Sequence, residues 1–157
     1  MLYEAISPPG NIDRFRSRVR EEMSLLRFTR TALPGAVELL ERLRGEGYRL
    51  AVISNNDGYT VEKCEEVGIK DYFEHIFDST LLNLIKPDRR IFEYAAERCG
   101  VSPSEAVHVG DMFGSDVMGG RDAGLDVIWF NARNAPRPDV PRISEAGSLA
   151  EVADLIG

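Results

Sequence analysis

The sequence predicts an α/β protein built on a parallel β-sheet, and three observations carry that prediction. From residue 34 onward, segments with apolar residues at helical spacing alternate with short segments that are apolar almost throughout. Segments of the second kind suit parallel strands, because such strands are buried on both faces. Glycines and prolines, which end helices and form turns, separate the segments. This alternation is typical of a parallel sheet flanked by helices.

Each predicted element has its own signal. Four helices are predicted to begin near Pro34, Thr60, Pro87 and Ser148. Proline is accepted in the first turn of a helix, and the hydroxyls of Thr and Ser can cap its free backbone N–H groups. Four strands are predicted from their apolar runs, and they lie at residues 49–55, 74–79, 106–110 and 126–131.

Residues 1–32 have a different pattern. Their apolar residues repeat at helical spacing, with four arginines between them, which predicts one amphipathic helix. The apolar positions are Ile12, Phe15, Val19, Met23 and Leu26. We therefore expect two parts, a helical segment at residues 1–32 and an α/β core at residues 33–157.

The composition excludes several classes of partner. The chain has 157 residues and a formal net charge of -7, which argues against a nucleic acid or an anionic membrane as its main partner. No apolar run approaches the roughly 20 residues of a membrane-spanning helix, and no signal-peptide pattern opens the sequence. Cys64 and Cys99 lack metal-type spacing and fall on apolar helix faces. We expect buried thiols in the reducing cytoplasm.

Polar side chains follow or precede these predicted elements at places where a ligand could bind. Ser54 and Asn55 end one strand, Lys86 precedes a helix, Asp111 ends another strand, and Asp116 follows it. In open parallel sheets, ligands bind at the carboxyl ends of the strands. A hydroxyl, neighbouring amides and a cation can hold a phosphoryl group, and carboxylates suit Mg²⁺. The set is therefore what phosphoryl transfer needs.

Each of these residues also has an ordinary structural explanation. Ser54 and Asn55 are common turn residues, and Lys86 could be a solvated residue at a helix entry. Asp111 could be a turn residue, and Asp116 could be an acid favoured by the dipole at a helix start. Only their joint order along the chain favours a functional site.

Residues 33–157 resemble the haloacid dehalogenase-like (HAD) hydrolase superfamily, in its branch of phosphatases and dehalogenases with a helical cap. Three segments carry the resemblance, and each matches one of the family's motifs. They are "LPGAVELLERLRGEGYRLAVISNN", "IKPDRRIFEYAAERCGV" and "AVHVGDMFGSDVMGGRDAGLDVIWFN". The resemblance implies a Rossmann-like core and makes residues 1–32 the remnant of a helical cap.

The resemblance also implies a role for each candidate residue. Ser54 would be the phosphate-binding hydroxyl, with Asn55 beside it, and Lys86 would be the active-site cation. Asp111 would bind Mg²⁺, and Asp116 would support either the metal or Lys86. The predicted catalytic residues are thus Ser54, Lys86 and Asp116. The predicted substrate-binding residues are Ser54, Asn55 and Lys86, and the predicted metal ligands are Asp111 and Asp116.

The chain departs from the family in its first motif. That motif has the form Asp-x-Asp-x-Thr and supplies the nucleophile and the general acid–base, but residues 1–32 do not contain it. By the family's layout, the first strand and most of the cap are absent. Because that strand lies in the middle of the sheet, we expect two unpaired inner edges. Residues 2–6 could fill the slot, although they carry no carboxylate pair.

The leading hypothesis is a Mg²⁺-dependent phosphatase that acts on a small phosphorylated metabolite through an aspartyl-phosphate. It applies to the complete protein, and we expect this chain alone to be inactive. One alternative is a non-catalytic or split-enzyme module that binds Mg²⁺ and phosphate, as a homodimer or with a complementing chain. A 2-haloacid dehalogenase is another, which the Gly-Asp motif with a second acid disfavours. A phosphoreceiver domain is excluded, because its acids precede its hydroxyl and lysine.

Overall fold

The computed structural model of the chain describes residues 30–157. This range contains six α-helices and five strands, together with two short 3₁₀ turns and one π-helical turn. The helices are α1 Ala36–Gly45, α2 Thr60–Glu66, α3 Ser79–Leu82, α4 Arg89–Cys99, α5 Met118–Asp122 and α6 Leu149–Ile156. The strands are β1 Ala51–Ser54, β2 His75–Asp78, β3 Val107–Gly110, β4 Asp126–Phe130 and β5 Ser144–Ala146. The 3₁₀ turns are Lys70–Tyr72 and Pro103–Glu105, and the π turn is Phe113–Val117.

All strand pairs within residues 30–157 run parallel, as the apolar runs predict. β1 pairs with β2 in one sheet, and β3, β4 and β5 form another in that order. The α/β class with helices flanking parallel strands is confirmed. Within residues 30–157, no hydrogen-bonded ladder joins β1 to β3, and the absence of a middle strand stays a prediction.

The strands differ in burial according to whether they lie inside the sheet or at its edge. β4 lies between two neighbours, and Val127, Ile128 and Trp129 are 3–4% exposed. β3 has a free edge within the described residues, and Val107 and Val109 are 40% and 36% exposed although both are apolar. A buried core lies on each face of β4, because Val127 and Trp129 pack with Val117 while Ile128 packs with Ala146 and Val152. This two-sided burial explains the unbroken apolar run of the segment.

Two sequence predictions about local structure are wrong. Thr60 does not cap α2, because it is the first residue of the helix and its hydroxyl donates to Asp78 instead. The segment before the last helix contains a strand that the sequence does not predict, β5, since three residues carry too little periodicity to indicate one. At the last helix, by contrast, Ser148 is the cap, and its hydroxyl accepts from Glu151 N at 3.2 Å.

The N-terminal predictions lie almost wholly outside the described residues. These are the helix within residues 1–32 and the candidate strand at residues 2–6, and only residues 30–32, which are not helical, fall in range. Within residues 30–157, no helix is both long and apolar enough to cross a lipid bilayer.

Candidate active site

The structure brings two of the predicted residues, Lys86 and Asp116, into direct contact. Lys86 Nζ lies 2.7 Å from Asp116 Oδ1 and donates to Ile53 O at 2.7 Å. The two side chains are only 9% and 6% exposed. A buried ammonium is tolerated only with partners of this kind. The Lys86 ammonium is therefore held beside the C-terminal end of β1, because the carbonyl that it binds belongs to the residue before Ser54.

The backbone around Asp116 is shaped to receive its carboxylate. Asp116 lies in the π turn, and the Met112 N–H donates to its Oδ2 at 2.9 Å. A Cβ on Gly110 would lie 2.6 Å from both the Cγ and the Oδ2 of Asp116. Only glycine leaves room for the carboxylate at this position. Single π turns are frequent at functional sites.

The Asp116 carboxyl is held in its charged form. Burial by itself raises the pKa of Asp116, but contacts with His108, Lys86 and the Met112 amide outweigh it and keep the pKa well below its ordinary value. His108 Nε2 lies 3.8 Å from Asp116 Oδ1, too far for a direct hydrogen bond. We therefore assign most of the lowering to Lys86, at 2.7 Å.

Asn55 holds the backbone of Lys86. Its Nδ2 donates to Lys86 O at 2.9 Å, and its Oδ1 accepts from Lys86 N at 2.8 Å. The sequence predicts Asn55 as a substrate-binding residue and does not predict these two bonds to the Lys86 backbone. Its partner lies 31 residues away, so no local pattern could have revealed it. A role of Asn55 in substrate binding stays a prediction.

Ser54 and Asp111 are available to a ligand. The hydroxyl of Ser54, at the end of β1, and the exposed carboxylate of Asp111 have no hydrogen bond or ion pair with other residues of 30–157. The backbone of Asp111 is nonetheless fixed, because Trp129 Nε1 donates to its carbonyl at 3.1 Å. Both residues lie at C-terminal strand ends, where ligands bind in such sheets.

The two predicted metal ligands differ in what they can offer. Asp111 presents a free carboxylate, whereas both oxygens of Asp116 already contact other groups. Of the roles that the resemblance implies for Asp116, these contacts fit support of Lys86. Within residues 30–157, no three acidic, His or Cys side chains come together as a metal centre. Mg²⁺ at Asp111 would therefore take oxygen ligands from water, substrate or other parts of the protein.

Two glycines let α5 pack closely against the residue after Lys86 and against β4. A Cβ on Gly119 would lie 2.9 Å from Pro87 Cα, and one on Gly120 would lie 3.2 Å from a methyl of Val127. Glycine at both positions therefore permits a close packing that a larger side chain would disturb. Its result is that the helix after Asp116 packs directly against the residue that follows Lys86.

A cavity of about 610 Å³ lies at the other end of the second sheet. It is bordered by Tyr48, Val107 and Arg142, among others, and by none of the predicted site residues. The charged pair and the free hydroxyl lie instead at the C-terminal strand ends, so the chemistry favours that edge.

Comparison with known proteins decides the family. A profile of the haloacid dehalogenase-like hydrolase family matches residues 7–124. The chain belongs to this family. It is 37% identical over 129 residues to the pyrimidine 5'-nucleotidase YjjG of Escherichia coli, covering 80% of this chain and 57% of that protein. It is also 39% identical over 101 residues to a glyceraldehyde 3-phosphate phosphatase of Pyrococcus abyssi, covering 62% of this chain and 42% of that protein.

A solved structure of a HAD phosphatase has a similar fold. The HAD phosphatase from Thermococcus onnurineus superposes with a TM-score of 0.74 at 35% identity, covering 80% of this chain and 58% of that one. The Rossmann-like HAD fold is thus confirmed. The chain spans about half the length of the curated relatives named above.

Proposed function

We propose that this chain forms the core of a Mg²⁺-dependent phosphatase acting on small phosphomonoesters. The observation that carries the proposal is the buried Lys86–Asp116 pair beside the unengaged Ser54 hydroxyl. A cation fixed in a site of low exposure stabilises phosphoryl charge more strongly than one in water. Family membership makes the chain part of a hydrolase, and relatives named as phosphatases and a nucleotidase support the phosphate chemistry.

Each residue has a distinct task in this proposal. Lys86 would donate N–H bonds to the phosphoryl oxygens and balance part of their charge. Ser54 would donate its hydroxyl to another of these oxygens. Asp116 would hold Lys86 in place, because its carboxylate is buried, charged and bound to the Met112 amide.

Asp111 would hold the metal. Bound there, Mg²⁺ would neutralise phosphoryl charge and orient the phosphate. The free carboxylate of Asp111 and the hydrogen bond that fixes its backbone to Trp129 support this assignment.

The nucleophile of the proposed reaction has to come from another segment. An aspartate oxygen would attack phosphorus and release the alcohol, and water would then release phosphate from the aspartyl-phosphate. No two aspartates in the 157 residues are separated by a single residue, so the chain lacks the family's Asp-x-Asp pair. The edges of β1 and β3, unpaired within residues 30–157, could accept a strand that carries it. We therefore propose that this chain alone binds phosphate without turnover.

The proposed substrate class is what the named relatives share. One is a nucleotidase and the other a phosphatase of a three-carbon phosphate, so they differ in the group that carries the phosphate. Both names describe a phosphomonoester. The proposal extends to that class, a small phosphorylated metabolite, and to no single compound.

Phosphate binding and hydrolysis test the proposal together. Inorganic phosphate is titrated by calorimetry, with Mg²⁺, into the wild-type chain and into Ser54→Ala, Lys86→Met and the control Lys70→Met, which replaces a lysine 45% exposed. Loss of a hydrogen bond to a charged group should weaken binding by about tenfold or more in the first two variants and not in the control. Equal affinity in all four proteins would refute the proposed site.

The hydrolysis arm uses p-nitrophenyl phosphate and Mg²⁺. We expect no turnover by the chain alone and turnover after addition of a peptide that carries an Asp-x-Asp strand. Turnover by the chain alone that Asp111→Asn abolishes would mean that an acid of this chain is the nucleophile, and the proposed division of labour would be wrong.

A further inference from the structure

Asp78 is a buried carboxylate that the proposed chemistry does not use. It ends β2, is 3% exposed, and lies opposite Ser54 in the β1–β2 register. In the described part of the chain it forms no ion pair. Removing a carboxylate from water is costly unless hydrogen bonds replace the lost hydration. The groups that provide those bonds therefore indicate what the residue does.

The donors come from two segments that the carboxylate joins. Gly58 N donates to both oxygens at 3.1 Å, and Thr60 donates to Oδ2 through its hydroxyl and, at 3.3 Å, its backbone N–H. Thr80 N, in the first turn of α3, donates to Oδ1 at 2.9 Å. Asp78 thus ties the loop after β1 to the start of the segment that leads to Lys86.

A second set of bonds joins the same two segments. Asn56 N donates to Ser79 Oγ at 3.0 Å, and Thr80 Oγ1 donates to Asn56 O at 2.6 Å. Both peptide groups of Asn56 are therefore anchored on α3. Ser54 ends β1 and Asn55 is the one residue between the strand and this anchored point, so the backbone on both sides of Asn55 is fixed.

The carboxylate form of Asp78 is the stable one. Burial raises the pKa of Asp78, but the hydrogen bonds from the Thr60 hydroxyl and the Thr80, Gly58 and Thr60 amides outweigh it, so the pKa lies below its ordinary value. A charged acceptor makes each of these bonds stronger than a neutral one would.

We propose that Asp78 is a positioning residue that fixes the loop of residues 55–60 and so places the Ser54 hydroxyl for phosphate. The inference rests on the proposed function of Ser54. It adds a residue that touches neither phosphate nor metal and whose loss acts through the loop. Asp78 also acts on Lys86 through this loop, because the loop includes Asn55 and the Asn55 side chain bonds the Lys86 backbone.

The test compares two pairs of variants in the full chain, with inorganic phosphate as the probe. Asp78→Asn keeps the shape of the side chain but loses the charge and one acceptor, and Ile91→Val is a core control at a side chain that is 0% exposed. Thr60→Val removes the hydroxyl donor, whereas Thr60→Ser keeps it. Phosphate affinity is measured by calorimetry well below each Tm, and amide hydrogen exchange is followed by NMR.

We expect Asp78→Asn and Thr60→Val to weaken phosphate binding by about tenfold and to speed exchange of the Gly58 and Thr60 amides by about tenfold. Ile91→Val should lower Tm without changing affinity, and Thr60→Ser should bind as the wild type does. If Asp78→Asn does not fold, the two Thr60 variants decide the question.

Wild-type affinity in Asp78→Asn and Thr60→Val, or a loss no larger than that of Ile91→Val, would overturn the inference. Failure of the proposed function gives a different result, namely a wild-type chain that binds no phosphate. Amide exchange in Asp78→Asn and Thr60→Val then tests whether Asp78 fixes the loop. Faster exchange confined to residues 55–60 supports that claim, and unchanged or uniformly faster exchange overturns it.

Discussion

Replacing Gly110 by alanine tests whether the close approach of Asp116 to the strand end determines the geometry of the site. The added Cβ would lie 2.6 Å from the carboxylate carbon of Asp116, whereas ordinary contact begins at 3.4 Å. The carboxylate would therefore retreat by about 0.8 Å or more. Lys86 Nζ now lies 2.7 Å from Asp116 Oδ1. If the carboxylate moved by that amount away from Lys86, the two atoms would be too far apart for a hydrogen bond.

The stability cost follows from the same overlap. Overpacking of a buried site costs about 1–3 kcal/mol, and in a chain of this size each kcal/mol lowers Tm by about 2–4 °C. We expect Gly110→Ala to lower Tm by about 2–12 °C and to weaken phosphate binding. The measurements are thermal unfolding followed by circular dichroism, and calorimetry with inorganic phosphate.

Gly114→Ala is the matched control, because Gly114 lies in the π turn that holds Asp116 and a Cβ there meets nothing within 4 Å. Its free energy of unfolding should stay within about 0.5 kcal/mol of the wild type. If Gly110→Ala unfolds within about 1 °C of Gly114→Ala and binds phosphate equally well, the reasoning about the close approach is refuted.

Three further predictions concern a helix cap, the metal residue and the core. Asp88 is the N-cap of α4, where its side chain accepts from the backbone N–H of Arg90. The hydrogen bond from the Arg90 side chain lowers the pKa of Asp88 to about 2, so the stabilisation is present above the ordinary pKa near 3.8 and is lost as pH falls towards 2. The Tm values of wild type and Asp88→Asn should therefore differ above pH 4 and converge near pH 2, and a constant difference would contradict this. Trp129 is the chain's one tryptophan and bonds the Asp111 carbonyl, so Mg²⁺ should change its fluorescence in the wild type, and the same change in Asp111→Asn would exclude that ligand. Ile91 is fully buried, so its replacement by alanine should cost about 2–5 kcal/mol in chemical denaturation, and a loss below about 0.5 kcal/mol would place it outside the core.

The local predictions succeeded where the signal lies within a few residues. The segment of β4 is apolar because both of its faces are buried, and that pattern is visible in the letters alone. The placement of Lys86 before a helix and of Asp111 after a strand also follows from neighbouring residues. Since carboxyl ends of parallel strands meet at one edge, the sequence indicates that such residues share a site. Lys86 and Asp116 do lie in contact, and their part in a common site with Ser54 and Asp111 stays a prediction.

The predictions failed where a distant partner decides. Thr60 fits the requirements for a helix cap, but its hydroxyl donates to Asp78, 18 residues away. β5 exists because β4 provides its hydrogen-bond partners, and its three residues carry no strand pattern of their own. The local sequence indicates that Asn55 is a turn residue, whereas in the folded structure its side chain bonds the backbone of Lys86, 31 residues away.

The sequence by itself determined the α/β class, the alternation of helices and strands, and the set of polar residues at the strand ends. These depend on side-chain periodicity and on the local preferences of glycine, proline and serine. Only the tertiary structure decided that Asp116 pairs with Lys86, that Asp111 is left free for a ligand, and that Gly110 makes room for the carboxylate. Those outcomes depend on distances between segments that the folding of the sheet brings together, and no short stretch of sequence contains them.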